Sequence, residues 1–188
     1  INGFAEIIKH SLVAKKDLWD VLKTIDPAEL LTYPDLTNLI AISSGIKIQI
    51  VDEDPLEKGI RKVLNFGHTI GHGIEGFCLN TDEPVAHGHA VALGMIAESY
   101  ISYKLNLLSE RELMEICLYI SQLYEALFFN EEERKAIIQL ISHDKKNAAG
   151  NVKMALLKGI GSSTWDVVVN EKLIFDSLIY VESVYQSN

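Results

Sequence analysis

Arg61, Asn65, His68 and His72 follow one another at intervals of four, three and four residues, the spacing that lines side chains along one face of a helix. No other feature limits the fold more. Gly67, Gly71 and Gly73 lie in the same stretch, and each glycine costs roughly 1 kcal/mol in a helix interior. Such a cost is tolerated where a neighbour must approach closely. A merely solvated face would favour Lys and Glu over His and Asn. The stretch from about Glu57 to about Glu75 is therefore predicted to be a helix with one tightly packed side and one polar, functional side.

Most of the chain repeats this period. Phe4, Ile7, Ile8 and Leu12 mark a helix over 3–14, with Glu6, Lys9 and His10 three and four apart on another face. Breaks fall at Asp26-Pro27 and Tyr33-Pro34-Asp35, the second resembling a helix start that runs into Leu39 and Ile40. Residues 46–51 alternate like a strand. A loop over 76–88 precedes an apolar helix from about Ala90 to Leu105. Ser109 with Glu112 forms a capping box, and Asn130 before three glutamates caps the next helix. Val152–Leu157 and Trp165–Val169 read as a hairpin around Gly159-Ile160-Gly161-Ser162-Ser163, and 171–185 as a closing helix. The expectation is one mainly α domain over 1–188, a multi-helix unit with a small β-hairpin near the C-terminus.

The formal charge of −9 and pI near 5.1 argue against nucleic acid and anionic membrane surfaces, both of which need a basic face. An anionic small molecule would need a local basic cluster. Candidates are Lys9, Lys47, Arg61 with Lys62, and Asp144-Lys145-Lys146-Asn147. Cys78 and Cys117 have no metal-ligand spacing and are expected to be buried thiols. The sequence shows no signal peptide and no apolar run near the roughly 20 residues of a membrane span, so a cytoplasmic location is expected. The chain opens Ile1-Asn2-Gly3 without an initiator methionine and is read as part of a larger protein.

His68 and His72 form an i, i+4 pair that can share one metal. His87 and His89 flank Gly88 further on, and Glu6 offers a carboxylate. Three such donors with one open position would make a catalytic zinc-type site, although spacing alone does not choose the three. Gly159-x-Gly161 joins two strands and so does not open a dinucleotide-binding helix.

Four ordered segments resemble the 3-dehydroquinate synthase family. They are Asn2-Gly3-Phe4-Ala5-Glu6-Ile7-Ile8-Lys9-His10, Leu64-Asn65-Phe66-Gly67-His68-Thr69-Ile70-Gly71-His72, Ala86-His87-Gly88-His89-Ala90-Val91-Ala92-Leu93-Gly94-Met95, and Asp144-Lys145-Lys146 with Gly150. The resemblance covers only that family's C-terminal domain, and it implies that residues 46–51 are the end of a long helix, against their strand-like alternation. It implies Glu6, His68 and His87 as ligands of Zn2+ or Co2+. It implies His72, Lys9 and Asn65 in catalysis, and Lys47, Arg61, Lys145 and Lys146 on the substrate. The implied reaction converts 3-deoxy-arabino-heptulosonate 7-phosphate, a phosphorylated sugar acid, to 3-dehydroquinate. NAD+ would be bound by an N-terminal domain absent here, so this chain alone is expected to be inactive and the whole protein a homodimer. At one position the chain departs from the pattern: His89 stands where the family usually has Glu. Rival readings are a 2-deoxy-scyllo-inosose or valiolone-type cyclase of the same fold, a metal-dependent polyol dehydrogenase, and a helical scaffold module without metal.

Overall fold

The computed structural model of the chain describes residues 2–81, 84–145 and 151–186, without the side chains of 143–145. In order come α1 (Asn2–Ala14), α2 (Lys16–Leu22), a 3-10 helix (Pro27–Thr32), α3 (Leu36–Glu53), a second 3-10 helix (Ile60–Asn65), α4 (His68–Cys78), α5 (His87–Lys104), α6 (Glu110–Leu123), α7 (Glu131–Lys145), β1 (Asn151–Leu157), β2 (Ser163–Asn170) and α8 (Glu171–Gln186). The expected mainly α fold with one late hairpin is therefore observed.

The spine is α5. Residues 90–99 are buried without interruption, as befits a helix with apolar residues on every side. Helices α1, α4, α6 and α8 and strand β1 pack around it. Residues 46–51 are helical, as the resemblance required: Ile50 is buried while Ile48, half a turn away, is 60% exposed. The capping boxes also form. Ser109 Oγ accepts the Glu112 N–H and the Glu112 carboxylate accepts the Ser109 N–H, while Asn130 and Glu133 exchange the same pair.

The hairpin pairs Val152 with Val169 and Leu157 with Ser163, with an irregularity between Met154 and Leu156. Its turn closes the end of α1. The Gly161 N–H donates to the Leu12 carbonyl at 2.7 Å, and Ser163 Oγ donates to the Val13 carbonyl at 2.9 Å. Two carbonyls left over at the end of α1 thus find partners about 150 residues further along the chain.

One expected element is divided. Residues 57–75 are not a single helix but a 3-10 helix and α4, broken at Gly67, which sits at φ +78°. The Asp54 carboxylate accepts the N–H groups of Lys58, Gly59 and Arg61 at 3.0, 2.7 and 3.1 Å, winding 54–61 into a loop that competes with helix. The helical period therefore does not connect Arg61 and Asn65 to His68 and His72.

Both cysteines are buried thiols outside any disulfide. Burial pushes the Cys117 thiol up to about 12, so almost no thiolate is present near neutrality. Iodoacetamide at pH 8 is expected to spare Cys117 in the folded chain and to label it after denaturation. Mass-spectrometric detection of fast native labelling would show that the α6–α8 contact opens readily.

Candidate metal centre

Three imidazoles meet where α4 and α5 begin. His68 is the first residue of α4, His72 lies one turn on, and His87 is the first residue of α5. Their ring centroids are 5.3 to 5.6 Å apart, and one ligand nitrogen from each lies within 4.8 Å of the others. The glycines explain the approach: Gly67 and Gly71 lie against the backbone of α5, and Gly73 against Ile137 and Ile141 of α7.

Hydrogen bonds fix two of the rings. His68 Nδ1 is 3.2 Å from the Phe66 carbonyl, and His87 Nδ1 is 2.9 Å from Glu75 Oε2. Both partners accept, so each Nδ1 carries a proton and a neutral ring would turn its Nε2 lone pair to a metal, the arrangement a metal-binding imidazole needs. Burial, followed by the Lys9 charge, pushes His68 down to about 4, which keeps it neutral near pH 7.

Glu6, on α1, reaches the same place. Its Oε1 lies 3.6 Å from His68 Nε2, and Lys9 Nζ donates to both carboxylate oxygens at 2.9 and 3.0 Å. Burial tends to raise the Glu6 carboxyl, but the Lys9 ammonium with His68 and His10 holds it below its ordinary value. Lys9 is itself 2% exposed; burial lowers its pKa, and Glu6 opposes that shift. His10 is buried too, its Nδ1 2.7 Å from Ser43 Oγ on α3 and its Nε2 3.8 Å from Glu6 Oε2. The three imidazoles fit a divalent ion, and the Glu6 carboxylate lies next to one of them, His68. His72 thus stands among the possible ligands as well as Glu6.

The expected substrate residues are more dispersed. Lys47 lines a cavity of about 390 Å³ with Glu6, His10 and Ser43. Asn65 lines another of about 410 Å³ with Lys62, Lys153 and Asp166. Glu57 connects Asn65 and Arg61: it accepts from Asn65 Nδ2 at 2.8 Å and lies 3.9 Å from Arg61 Nε. Arg61 also donates to the Pro55 carbonyl. Lys62 pairs with Asp166 on β2 at 2.7 Å. Lys145 ends α7, but its side chain, like Lys146 and Gly150, lies outside the described residues. His89 turns to the loop after α6, where its Nε2 donates to the Glu125 carbonyl at 2.7 Å beside Tyr124.

Sequence reasoning assigned no role to Glu75, His10 or Glu98. Glu75 was within reach, because it lies three residues after His72 and seven after His68, on the same face of a helix. Burial of His10 depends on Ser43 of α3, and that of Glu98 on α4, so neither shows in local spacing.

No helix among the described residues is long and apolar enough to cross a membrane. The family described as 3-dehydroquinate synthase C-terminal matches residues 3–147. A 3-dehydroquinate synthase of Parabacteroides distasonis is 39% identical over 184 residues, which are 97% of this chain and 52% of that protein. That of Streptococcus gordonii is 34% identical over 168 residues, 87% of this chain and 45% of its own length. The chain spans about half the length of these curated relatives. A 2-deoxy-scyllo-inosose synthase solved with carbaglucose-6-phosphate, NAD+ and Co2+ superposes with TM-score 0.74 at 26% identity, covering 94% of this chain and 50% of that one. A 2-epi-5-epi-valiolone synthase from Streptomyces hygroscopicus, with NAD+ and Zn2+ bound, shares the fold at TM-score 0.77 and 22% identity, covering all of this chain and 51% of that one.

Proposed function

The chain belongs to the 3-dehydroquinate synthase family, and we propose that it is the half that holds the metal and much of the substrate in an enzyme converting 3-deoxy-arabino-heptulosonate 7-phosphate to 3-dehydroquinate and phosphate. The observation that carries this reading is the convergence of His68, His72 and His87, one ligand nitrogen of each within 4.8 Å of the others, with the Glu6 carboxylate 3.6 Å from His68 Nε2. A divalent metal such as Zn2+ or Co2+ would polarise a substrate oxygen, and NAD+, held mainly by the other half of the whole protein, would accept and return a hydride.

The residues of this chain bind, orient and move protons. Glu6, His68 and His87 hold the metal. Lys9 keeps Glu6 ionised and fixed. His72, exposed beside the other two rings, faces the substrate and exchanges a proton at one of its oxygens. Asn65 and Arg61, set by Glu57 and Asp54, together with Lys47, Lys145 and Lys146, meet hydroxyl, carboxylate and phosphate groups as fixed donors, a positioning role as much as an acid–base one. Identity of 39% to a dehydroquinate synthase, against 22 to 26% to the sister cyclases, favours this substrate over theirs.

Metal analysis of the purified chain tests the reading. About one Zn2+ per chain is expected, retained by His72→Ala and lost by Glu6→Ala and His68→Ala. Loss with His72→Ala but not with Glu6→Ala would replace the carboxylate set by a three-imidazole one. Absence of metal from the unaltered chain would overturn the proposed centre.

A further inference from the structure

Glu98 is 0% exposed, in the middle of the apolar spine of α5. A carboxylate in such a place needs partners for both oxygens. It finds them on another helix: Oε2 accepts the Gly67 N–H at 2.7 Å and Oε1 the Ile70 N–H at 3.1 Å. These belong to the N-cap and the third residue of α4, two of the amides that a helix start leaves without intrahelical partners. Gly67 has no side chain to serve as cap, so α5 supplies one, and its negative charge also suits the helix N-terminus.

The helix start held in this way is the one that carries His68 and His72. We propose that Glu98 is a positioning residue of the metal centre, fixing where α4 begins and how it is rotated so that His68 meets His87 and Glu6. This rests on the metal reading above. Shape alone does not satisfy the requirement. Two N–H donors need two acceptors, and a glutamine would turn its amide hydrogens toward one of them. On the other side, buried Lys9, which binds Glu6, also feels the Glu98 charge favourably. The one carboxylate thus acts on both helices that bring donors to His87.

Co2+ binding by the full chain, followed by its visible absorption, tests the proposal beside thermal melting. Glu98→Gln is expected to weaken Co2+ binding roughly 10- to 100-fold and to alter the absorption bands. Glu115→Ala, which removes the acceptor 2.6 Å from the buried Trp19 indole at the α2–α6 contact, shows what lost stability alone produces and is expected to keep the affinity. Unchanged affinity in Glu98→Gln, or equal weakening in both variants, would overturn the proposal. If Glu98→Gln does not fold, Glu98→Asp takes its place, keeping the charge but withdrawing the oxygens by one methylene. If the unaltered chain binds no Co2+, the metal reading fails, and the ring resonances of His68 and His72 decide. Movement in the Glu98 variant but not in Glu115→Ala supports positioning, and unmoved rings reject it.

Discussion

Gly94→Ala is expected to lose roughly 3 kcal/mol or more of folding stability, the upper range for inserting a methyl group where nothing can yield. A Cβ at Gly94 would stand 2.0 Å from the Gly67 carbonyl oxygen and 2.7 Å from the Gly71 nitrogen. Both are backbone atoms at the start of α4, so no side-chain rotation relieves the contact. The helices must separate, which also strips Gly67 and Ile70 from Glu98. Two other glycines calibrate the effect. At Gly73 the clash is with side-chain atoms, Ile141 Cγ1 at 2.5 Å and Cδ1 at 2.9 Å, which can shift more readily than backbone. At Gly45, within α3, a Cβ meets nothing within 4 Å, and alanine there should add up to about 1 kcal/mol through helix propensity. Urea melts of the three variants should rank Gly94→Ala lowest and Gly45→Ala highest. A Gly94→Ala chain within 1 kcal/mol of the parent would contradict the α4–α5 packing.

Arg134→Ala should cost about 3 kcal/mol, the lower range for breaking a largely buried ion pair from one side. Arg134 Nη2 reaches both oxygens of Glu182 at 2.9 and 2.7 Å, and Nε reaches Oε1 at 3.2 Å. The side chains are only 15% and 11% exposed. Without the guanidinium, the Glu182 carboxylate keeps the Phe129 N–H at 3.0 Å but has lost the cation that balances its charge between α7 and α8. Replacing both members, as in Arg134→Met with Glu182→Leu, should recover part of the loss by removing the stranded charge. It should not recover all, since Phe129 then loses its acceptor. A double variant less stable than Arg134→Ala would count against this account.

What could be read in advance followed local physics closely. The capping box at Ser109, the cap at Asn130, the hairpin with its glycine turn and the apolar run of α5 are each set by a few neighbouring residues, and each formed. The helix break at Gly67 was not visible because four, three and four is a helical spacing whether or not the chain between is continuous. Only Gly67 in a left-handed conformation and the loop gathered by Asp54 interrupt it. Helix α2 and the 3-10 helix at Pro27–Thr32 also went unread, although Leu18, Trp19 and Leu22 are buried there; seven residues carry too little periodic signal. At the candidate centre the residues that gather, Glu6, His68, His72 and His87, all lie in the first three of the four ordered motifs. Glu75, which sets the His87 ring, and Glu98, which caps α4, were not legible, because their roles exist only when two helices meet.

The union of the hairpin turn with the end of α1 has a consequence for the order of assembly. Helix α1 is thirteen residues long, a length marginal for an isolated helix in water. Its terminal carbonyls wait for Gly161 and Ser163. Contacts between such distant parts of a chain raise the contact order and slow folding, because loop closure must precede the reward. During synthesis from the N-terminus, the segment bearing Glu6 and Lys9 would therefore remain frayed until most of the domain has emerged. Hydrogen-exchange protection at the end of α1 should accordingly appear late in refolding, together with that of β1 and β2.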